Sequence, residues 1–307
     1  MALYLILISA VAAAIQNLFM RRSVDSEGST HIYVPVQLFM SLLIVTYLNP
    51  VRSHSYTFDW RTVAVGLVMG LVLGLMMWSL GQAVKYGASA LTFASLNSSS
   101  VLPSIVMACL FGAVFGHGYQ WWNALGSAFV VIGIFWSSLS SEKSKSWPFW
   151  VFFTVLASLS FVFFSSMMQW RVLLSTHVAQ KSFLLPFSLD PAKAAWFIPA
   201  IFFSATLFQL VILAFVKVGA VSKRTVVYGV FGGIANGLSM FFMVFATERA
   251  QAWENAMLFP IFSISVIVLS NLWAKFLYRE KIVWIPSAMC IAGLFVGTVD
   301  WSALIKH

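Results

Sequence analysis

Apolar stretches of about 20 residues alternate with short polar segments along the whole chain. A helix needs about 20 apolar residues to cross the hydrocarbon core of a bilayer, so each stretch is long enough for one span. Charges and turn-forming residues bound the stretches, and most connectors are about 5–15 residues long. The pattern therefore predicts ten transmembrane helices, near residues 2–20, 31–49, 62–84, 89–114, 120–140, 148–169, 195–217, 225–246, 255–277 and 282–304.

Composition agrees with this pattern and excludes a soluble protein. Apolar residues make up 61% of the chain, against roughly 45–50% in soluble domains. Charged residues make up 9%, against about 25%, which is too few to cover a soluble surface. The net charge is +9, but the 18 basic residues are scattered singly between apolar stretches. Such spacing is typical of anchors at a membrane interface, so we expect a lipid bilayer as a partner and no nucleic acid.

The first apolar stretch favours a retained helix over a signal peptide. No basic residue precedes it, and Arg21 and Arg22 follow it. A cleaved leader has its positive charges before the apolar part, so this stretch is predicted to be a span of the protein.

Small residues recur at a spacing that indicates an internal duplication. Adding 163 to the residue number takes three glycines of the third predicted helix to three of the eighth, and also takes Ser100 to Ser263. Other landmarks need a different shift: adding 172 takes Gln37 to Gln209, and adding 150 takes Met20 to Trp170. The glycines, called the glycine ladders below, are Gly66, Gly70 and Gly74, and Gly229, Gly233 and Gly237. We expect a first repeat over residues 1–140, a linker over 141–147 and a second repeat over 148–304.

Five helices per repeat is an odd number, and this has a physical consequence. The second repeat must enter the membrane from the side opposite to the first. The sequence therefore predicts an all-α integral membrane protein of ten helices in two inverted repeats, related by a pseudo-two-fold axis in the membrane plane. This architecture suits alternating access, with a binding site near the midplane between the halves.

The glycine ladders let helices approach closely, because a glycine face exposes backbone for van der Waals contact. We expect the third and eighth helices to cross through them. The crossing serves packing alone or is also a pivot on which the halves rock, and the sequence leaves both interpretations open.

Two stretches resemble a known family. The first stretch covers the third to fifth predicted helices. It reads Ala83-Val84-Lys85-Tyr86-Gly87-Ala88-Ser89-Ala90, then Pro103, then Gly126 and Gly133. The last two helices read Phe259-Pro260-Ile261, then Phe276-Leu277-Tyr278-Arg279-Glu280-Lys281, then Gly293 and Gly297. With ten predicted helices, the chain resembles the drug/metabolite transporter superfamily in its form with two EamA-type repeats. Glu280 matches the acid that the family usually has before the last helix of a repeat, whereas the first repeat has His117 there.

The fourth predicted helix carries the most unusual polar run, residues Asn97, Ser98, Ser99 and Ser100, followed by Pro103. Four consecutive polar residues cover every face of a helical turn. Serine hydroxyls can bond back to the carbonyl four residues earlier and bend the helix. Pro103 lacks a donor and leaves the Ser99 carbonyl free, which is tolerated at membrane depth where it lines a cavity. The run therefore indicates either a surface that faces solute or a hydrogen-bonded kink.

Other polar side chains within the apolar stretches are candidates for solute binding. Glu254 and Asn255 open the ninth helix before Pro260, and Glu254 faces a cavity, pairs with Arg249 or caps its helix. Trp78 lies deep in the third helix and stacks on a solute or packs. The neutral candidates on the other helices are Gln16, Asn17, Gln37, Gln209, Asn236 and Ser239. Each alone serves more often as an interhelical hydrogen bond, but together they supply polar groups from several helices.

Several kinds of chemistry have no matching motif. No Gly-x-x-x-x-Gly-Lys-Ser/Thr loop is present, and no His pairs with Cys or acid at a metal-ligand spacing. Paired acids, a His cluster and a nucleophile–base pair are also missing. We therefore expect no enzyme activity, no metal and no cofactor.

The leading hypothesis is a secondary carrier for a small polar metabolite. The resemblance implies amino acids and their derivatives, sugars or nucleotide-linked metabolites, and the neutral polar groups favour a zwitterionic or uncharged solute. Exchange, facilitated diffusion and proton coupling stay open. A lipid flippase or scaffold is the alternative, and a polytopic membrane enzyme is a further one. We expect a multi-pass protein of the bacterial inner (cell) membrane, as a monomer or homodimer.

The orientation of the termini receives two opposite indications. Loops after odd-numbered helices hold 11 Lys and Arg residues against 7 elsewhere, which favours both termini outside. The family resemblance implies termini in the cytoplasm.

Overall fold

The structure is a computed structural model that describes residues 2–26, 28–54, 56–87, 89–112, 120–140, 147–176, 183–190, 193–216, 221–249, 252–279 and 284–298. This part of the chain is all-helical and contains no strand. The helices are α1 (Ala2–Asp25), α2 (Thr30–Ser53), α3 (Trp60–Tyr86), α4 (Ser89–Ser98), the 3₁₀-helix η1 (Ser99–Val101), α5 (Leu102–Phe111), α6 (Trp121–Ser140), α7 (Trp147–Thr176), α8 (Phe197–Phe215), α9 (Lys223–Arg249), α10 (Ala252–Tyr278) and α11 (Trp284–Thr298).

These helices fall on the ten predicted segments, and the fourth segment is divided into α4, η1 and α5. Within the described residues, six helices are long and apolar enough to cross a membrane. They are α1, α2, α3, α7, α8 and α9. These lengths indicate a multi-pass membrane protein.

The break in the fourth segment follows from its serines and proline. The Ser99 hydroxyl donates to the carbonyl of Ser95 (2.9 Å), the back-bonding that the sequence predicts. The Leu102 N–H donates to the carbonyl of Ser99, closing the tighter 3₁₀ turn. The expectation that Pro103 leaves the Ser99 carbonyl free is therefore wrong, because the 3₁₀ turn supplies a donor from one residue earlier.

The glycine ladders do not join α3 to α9, which corrects the predicted crossing. In α3, a Cβ on Gly66 would touch Phe197 and Ala200, one on Gly70 would touch Ile201 and Ser204, and one on Gly74 would touch Phe208, all in α8. In α9, a Cβ on Gly229 would touch Tyr33 and Val36, one on Gly233 would touch Gln37 and Met40, and one on Gly237 would touch Ile44, all in α2. Each ladder thus packs its helix against the second helix of the other predicted repeat.

The helix contacts form two bundles that each mix both predicted repeats. In the first, called the α1 bundle, α9 packs against α1 and α2, and α10 packs against α1. In the second, called the α3 bundle, α3 packs against α7 and α8, and α4 and α5 pack against α7. The bundles meet where α2 touches α8 and α10 touches α4, while α6 and α11 pack on each other.

The longest connector lies against the helix ends rather than apart from them. The indole N–H of Trp170 donates to the carbonyl of Leu184 (2.7 Å), and the Leu189 N–H donates to the carbonyl of Leu174 (3.0 Å). Residues 183–190, predicted as irregular chain, are thereby fixed to the C-terminal end of α7.

Candidate functional site

A cavity of about 110 Å³ lies between the two bundles. Its wall includes Ala13, Leu73, Phe161 and Asn236, which are the central residues of α1, α3, α7 and α9. The centre of a spanning helix lies near the middle of the bilayer. Among the described residues, the lining is formed by Ala13, Gln16, Asn17, Leu73, Met76, Met77, Leu80, Leu96, Asn97, Phe161, Phe164, Ser165, Met168, Phe202, Asn236, Ser239, Met240, Met243, Phe262, Ser263 and Val266.

Five of the predicted solute-binding residues lie on this wall. They are Gln16, Asn17, Asn97, Asn236 and Ser239. The tertiary structure thus brings amides and a hydroxyl from α1, α4 and α9 to one place. Such groups both donate and accept hydrogen bonds.

Hydrogen bonds between helices and within one helix position several of these residues. The Asn236 amide donates to the Ser41 hydroxyl on α2 (3.0 Å). The Ser9 hydroxyl on α1 donates to the Ser239 carbonyl (2.7 Å). The amide of Asn97 donates to the Phe93 carbonyl one turn earlier in α4 (2.7 Å). Each amide or hydroxyl has further hydrogen-bonding capacity that a solute could use.

Two hydroxyls on the wall, Ser165 and Ser263, are not among the predicted solute contacts. The Ser263 hydroxyl donates to the Ser100 hydroxyl (2.8 Å). Ser100 is a predicted site residue, and it reaches the cavity wall through this bond. The shift of 163 in residue number, which pairs these two serines in the sequence, was a signal for their contact.

Most of the described cavity wall is apolar, and the sequence analysis did not predict these apolar residues as part of the site. It includes five methionines, Met76, Met77, Met168, Met240 and Met243, and four phenylalanines, Phe161, Phe164, Phe202 and Phe262. A methionine or phenylalanine in an apolar helix has no pattern that separates a cavity wall from lipid contact or packing. The same shift of 163 in residue number is the one usable signal, because it takes Met76 to Ser239 and Met77 to Met240.

Several predicted contacts lie away from the cavity. Gln209 is buried in α8 and donates to the Gly74 carbonyl (2.5 Å), so it is an interhelical bond. Gln37 is fully buried in α2, and its amide has no hydrogen-bond partner among the described residues. Trp78 packs edge-on against Phe153 of α7, with ring centroids 5.4 Å apart. Ser98 is buried in α4 and is not on the wall.

The remaining candidates fall partly or wholly outside the described residues. Glu254, Asn255 and Pro260 lie in the first turns of α10, but their side chains are outside the description. His117 and Glu280 are outside it altogether. The roles predicted for these residues stay predictions.

No charged side chain belongs to the described lining of the cavity. Arg171, which follows the repeat landmark Trp170 in the sequence, lies toward the end of α7. Its guanidinium lies 3.7 Å from the Glu248 carboxylate and 4.0 Å from the centre of the Phe197 ring. In the described part of the chain, no group of three or more His, Cys, Asp or Glu could hold a metal ion. The wall thus offers neutral hydrogen bonding and apolar contact.

Comparison with known proteins informs the fold alone. No family model matches the chain, and no curated protein matches it. A solved structure described as "Crystal structure of protein" aligns over 99% of this chain and 97% of its own, with a TM-score of 0.60 and 14% sequence identity. The helices are therefore arranged as in a protein of similar length, although few residues of the two sequences are identical.

Proposed function

We propose that the protein is a secondary carrier that moves a small uncharged or zwitterionic solute across a membrane by alternating access. The observation that carries the proposal is the cavity at the centres of α1, α3, α7 and α9, with amides and hydroxyls on its wall. Polar groups at the centre of apolar helices are costly, and several of them on the wall of one cavity support a solute pathway. A cavity between two bundles is also the arrangement that alternating access requires.

The proposal includes ten spans in two inverted repeats, and the ladder contacts support the duplication. Gly70 lies against Ile201 and Gly233 lies against Gln37. The residue numbers of these two partners differ by 164, and those of the two glycines differ by 163. Every ladder glycine has a counterpart partner at this shift. Gln37 therefore corresponds to Ile201 in these contacts, rather than to Gln209.

Burial supports the same relation between α1 and α7. Adding 148 to the residue number takes Ser9 to Ala157, and both residues are buried. Four further pairs on the inner faces are also buried on both helices: Ile6 with Thr154, Gln16 with Phe164, Asn17 with Ser165, and Met20 with Met168. The shift of 150 suggested by Met20 and Trp170 is therefore replaced by one of 148, because Trp170 is only partly buried.

Exchange of the two repeats also conserves the helix contacts. Contact of α1 with α9 becomes contact of α7 with α3, and contact of α2 with α9 becomes contact of α8 with α3; all four are present. The contacts of α2 with α8, α4 with α10 and α6 with α11 are their own counterparts. A two-fold axis relating the repeats would pass through these three contacts.

The bodies that move are then the two bundles rather than the two repeats. The glycine ladders join α3 to α8 and α9 to α2, so each ladder stiffens one bundle. The cavity lies between the bundles, and contacts on the axis can persist while the bundles tilt. The pivot is accordingly placed at the axis, where α4 meets α10 and α6 meets α11.

The size of the cavity favours a small solute over a lipid. About 110 Å³ is less than the roughly 150 Å³ cavity that holds benzene in a well-studied protein core. A lipid headgroup with its chains would need far more room. From the sequence resemblance we further propose that the chain belongs to the drug/metabolite transporter superfamily. We also propose that it lies in the bacterial inner membrane as a monomer or homodimer.

Uptake by purified protein in liposomes tests the carrier function. A panel of labelled neutral, zwitterionic, cationic and anionic solutes is supplied outside, with protein-free liposomes as the control. We expect accumulation or counterflow of a neutral or zwitterionic member and loss of it in Asn236→Ala. Uptake of no soluble solute, together with movement of labelled lipid between leaflets, would show a flippase instead.

Cysteine accessibility tests the ten spans separately. With Cys109 and Cys290 replaced by Ala, single cysteines at Leu3 and Ile305 should react with an impermeant reagent from the same side. Reaction from opposite sides would exclude an even number of spans and the inverted repeat with it.

A further inference from the structure

The two bundles present different chemistry to the cavity. The α1 bundle contributes Gln16, Asn17, Asn236, Ser239 and Ser263, which are half of its described lining residues. Among the described residues, the lining from the α3 bundle is polar only at Asn97 and Ser165. Its apolar wall is formed chiefly by Met76, Met77, Phe161, Phe164, Met168 and Phe202. The cavity therefore has a polar side and an apolar side.

The difference falls at positions that the proposed duplication makes equivalent. The shift of 163 in residue number takes Leu73 to Asn236 and Met76 to Ser239, and the shift of 148 takes Gln16 to Phe164. In each pair the polar member lies on the α1 bundle and the apolar member on the α3 bundle. Equivalent positions line the same cavity from opposite sides. The difference in residue type at these positions therefore makes one side of the cavity polar and the other apolar.

Methionine gives the apolar side a particular property. The thioether chain is unbranched and polarizable, so it repacks around groups of different shape and contacts aromatic rings favourably. Met76, Met77 and Met168 stand beside Phe161, Phe164 and Phe202 on this side. Such a wall accepts an apolar group without demanding one shape.

Resting on the proposed carrier function, we propose that the solute is amphipathic and binds in one orientation. Its neutral or zwitterionic polar end lies against the amides and hydroxyls of α1 and α9. Its apolar end, a short aliphatic or thioether chain, lies against the methionines and phenylalanines of α3 and α7. Met76 is a specificity-determining residue, because its equivalent across the cavity is the polar Ser239.

The volume limits the apolar end to a short chain. The cavity measures about 110 Å³, and roughly 150 Å³ suffices for benzene. The polar end takes part of that space, so the apolar end extends by a few carbon atoms unless the methionines move. A solute with an apolar end of this size is distinguished from its hydroxylated analogue by the apolar wall, because a hydroxyl buried there finds no partner.

L-2-Aminobutyrate and L-serine form a matched pair of probes. They share the charged groups and the shape, and they differ in a methyl against a hydroxyl at the end of the side chain. Binding of each is measured by equilibrium dialysis with the purified full-length protein in nanodiscs. We expect L-2-aminobutyrate to bind at least about fourfold more tightly, the effect of one buried carbon.

Three variants locate the discrimination. Met76→Gln should abolish or reverse the preference, whereas Met76→Leu should keep it, because leucine preserves an apolar wall. Met289→Gln, on α11 and outside the cavity lining, is the control and should leave the preference unchanged. If Met76→Gln does not fold, Met168→Gln on α7 takes its place.

The outcomes separate this inference from the function it rests on. Equal binding of the two probes, or tighter binding of L-serine, overturns the apolar subsite while solute uptake in liposomes still supports a carrier. If neither probe binds but a solute of another class accumulates, the apolar subsite is likewise overturned and the carrier function is still supported. An unchanged preference in both Met76→Gln and Met168→Gln also overturns the subsite. Uptake of no soluble solute overturns the carrier function, and the subsite with it.

Discussion

Ser263 on α10 donates a hydrogen bond to Ser100 in η1, with 2.8 Å between the two hydroxyl oxygens. The two serines are 163 residues apart, the spacing that also relates the glycine ladders. In the proposed duplication, a residue that bonds to its own equivalent lies next to the two-fold axis that would relate the repeats. The pair therefore marks where the proposed axis passes through the contact between the α1 and α3 bundles.

The serine pair gives a first prediction. Ser100→Ala and Ser263→Ala should each lower stability, and the double variant should cost less than their sum because both remove one bond. The coupling should be about 0.5–1.5 kcal/mol, measured by thermal unfolding in detergent. Ser79→Ala is the control, since the Ser79 hydroxyl is buried with no hydrogen-bond partner among the described residues, and it should be neutral or stabilising. Strict additivity of the pair would contradict the contact.

Gly70 and Gly81 on the same helix should respond oppositely to alanine. A Cβ on Gly70 would collide with the backbone carbonyl of Ile201, whereas one on Gly81 would meet Thr30 at 3.4 Å, an ordinary contact. We expect Gly70→Ala to cost about 1–3 kcal/mol through overpacking. Gly81→Ala should stabilise by about 0.5–1 kcal/mol, because glycine is a poor helix former. Thermal unfolding of both variants measures these effects. Equal losses of stability in the two variants would refute close packing of α3 on α8.

Asn97 and Gln209 should separate solute binding from stability. Asn97 lines the cavity, so Asn97→Ala should weaken solute binding several-fold, corresponding to about 0.5–1.5 kcal/mol. Gln209 bonds to the Gly74 carbonyl away from the cavity, so Gln209→Leu should lower the unfolding temperature and leave affinity unchanged. Isothermal titration and thermal unfolding measure the two effects. A large stability loss in Asn97→Ala with unchanged affinity would assign that residue to the kink instead.

Asp59 should make stability depend on pH at the start of α3. Its carboxylate accepts hydrogen bonds from the Thr62 N–H (3.0 Å) and hydroxyl (2.7 Å). Burial raises the pKa of Asp59, but the bonds from Thr62 and the charge of Arg61 outweigh it, so the pKa falls below its ordinary value. A lowered pKa in the folded state means that the stabilisation is complete above the ordinary value of about 3.9. It is lost as the pH falls through the lowered value.

The measurement for this prediction is thermal unfolding across acidic pH. At neutral pH, Asp59→Ala should cost about 1 kcal/mol as an N-cap loss, and Asp59→Asn should cost less because the amide oxygen still caps. The difference between the wild type and Asp59→Ala should shrink below about pH 4, as the wild-type carboxylate takes up its proton. If the stability difference between the wild type and Asp59→Ala stays constant to the lowest pH, the charge of the carboxylate does not contribute to the stabilisation.

The positions of the helices could be predicted from the sequence because the bilayer imposes a length. An apolar stretch must be about 20 residues long to cross it. This length can be recognised in the sequence without knowing which helices pack against each other. The predicted segments coincide with the helices α1 to α11, and the largest extension is at the C-terminal end of α7, which continues seven residues beyond its segment. The interruption of the fourth segment was one of two outcomes that the sequence indicated, and the Ser99 hydroxyl does bond back to the carbonyl of Ser95.

The pairing of the helices was decided by the tertiary structure. The sequence showed that Gly70 and Gly233 were places of close approach, but not what approached them. A glycine is equally compatible with any partner, and the two ladders pack on α8 and α2 rather than on each other. Pairing depends on the shape of both surfaces, which a single helix does not record.

The composition of the site divides in the same way. Polar residues such as Asn17 and Asn236 were found from sequence alone, because an amide in an apolar stretch is costly and therefore conspicuous. Met76 and Phe164 were not, because an apolar side chain is equally at home against lipid, against a neighbouring helix or on a cavity wall. The sequence by itself determined how many apolar segments there are and where polarity interrupts them. Only the tertiary structure decided which apolar faces enclose that polarity, because enclosure is a relation between helices distant in the chain.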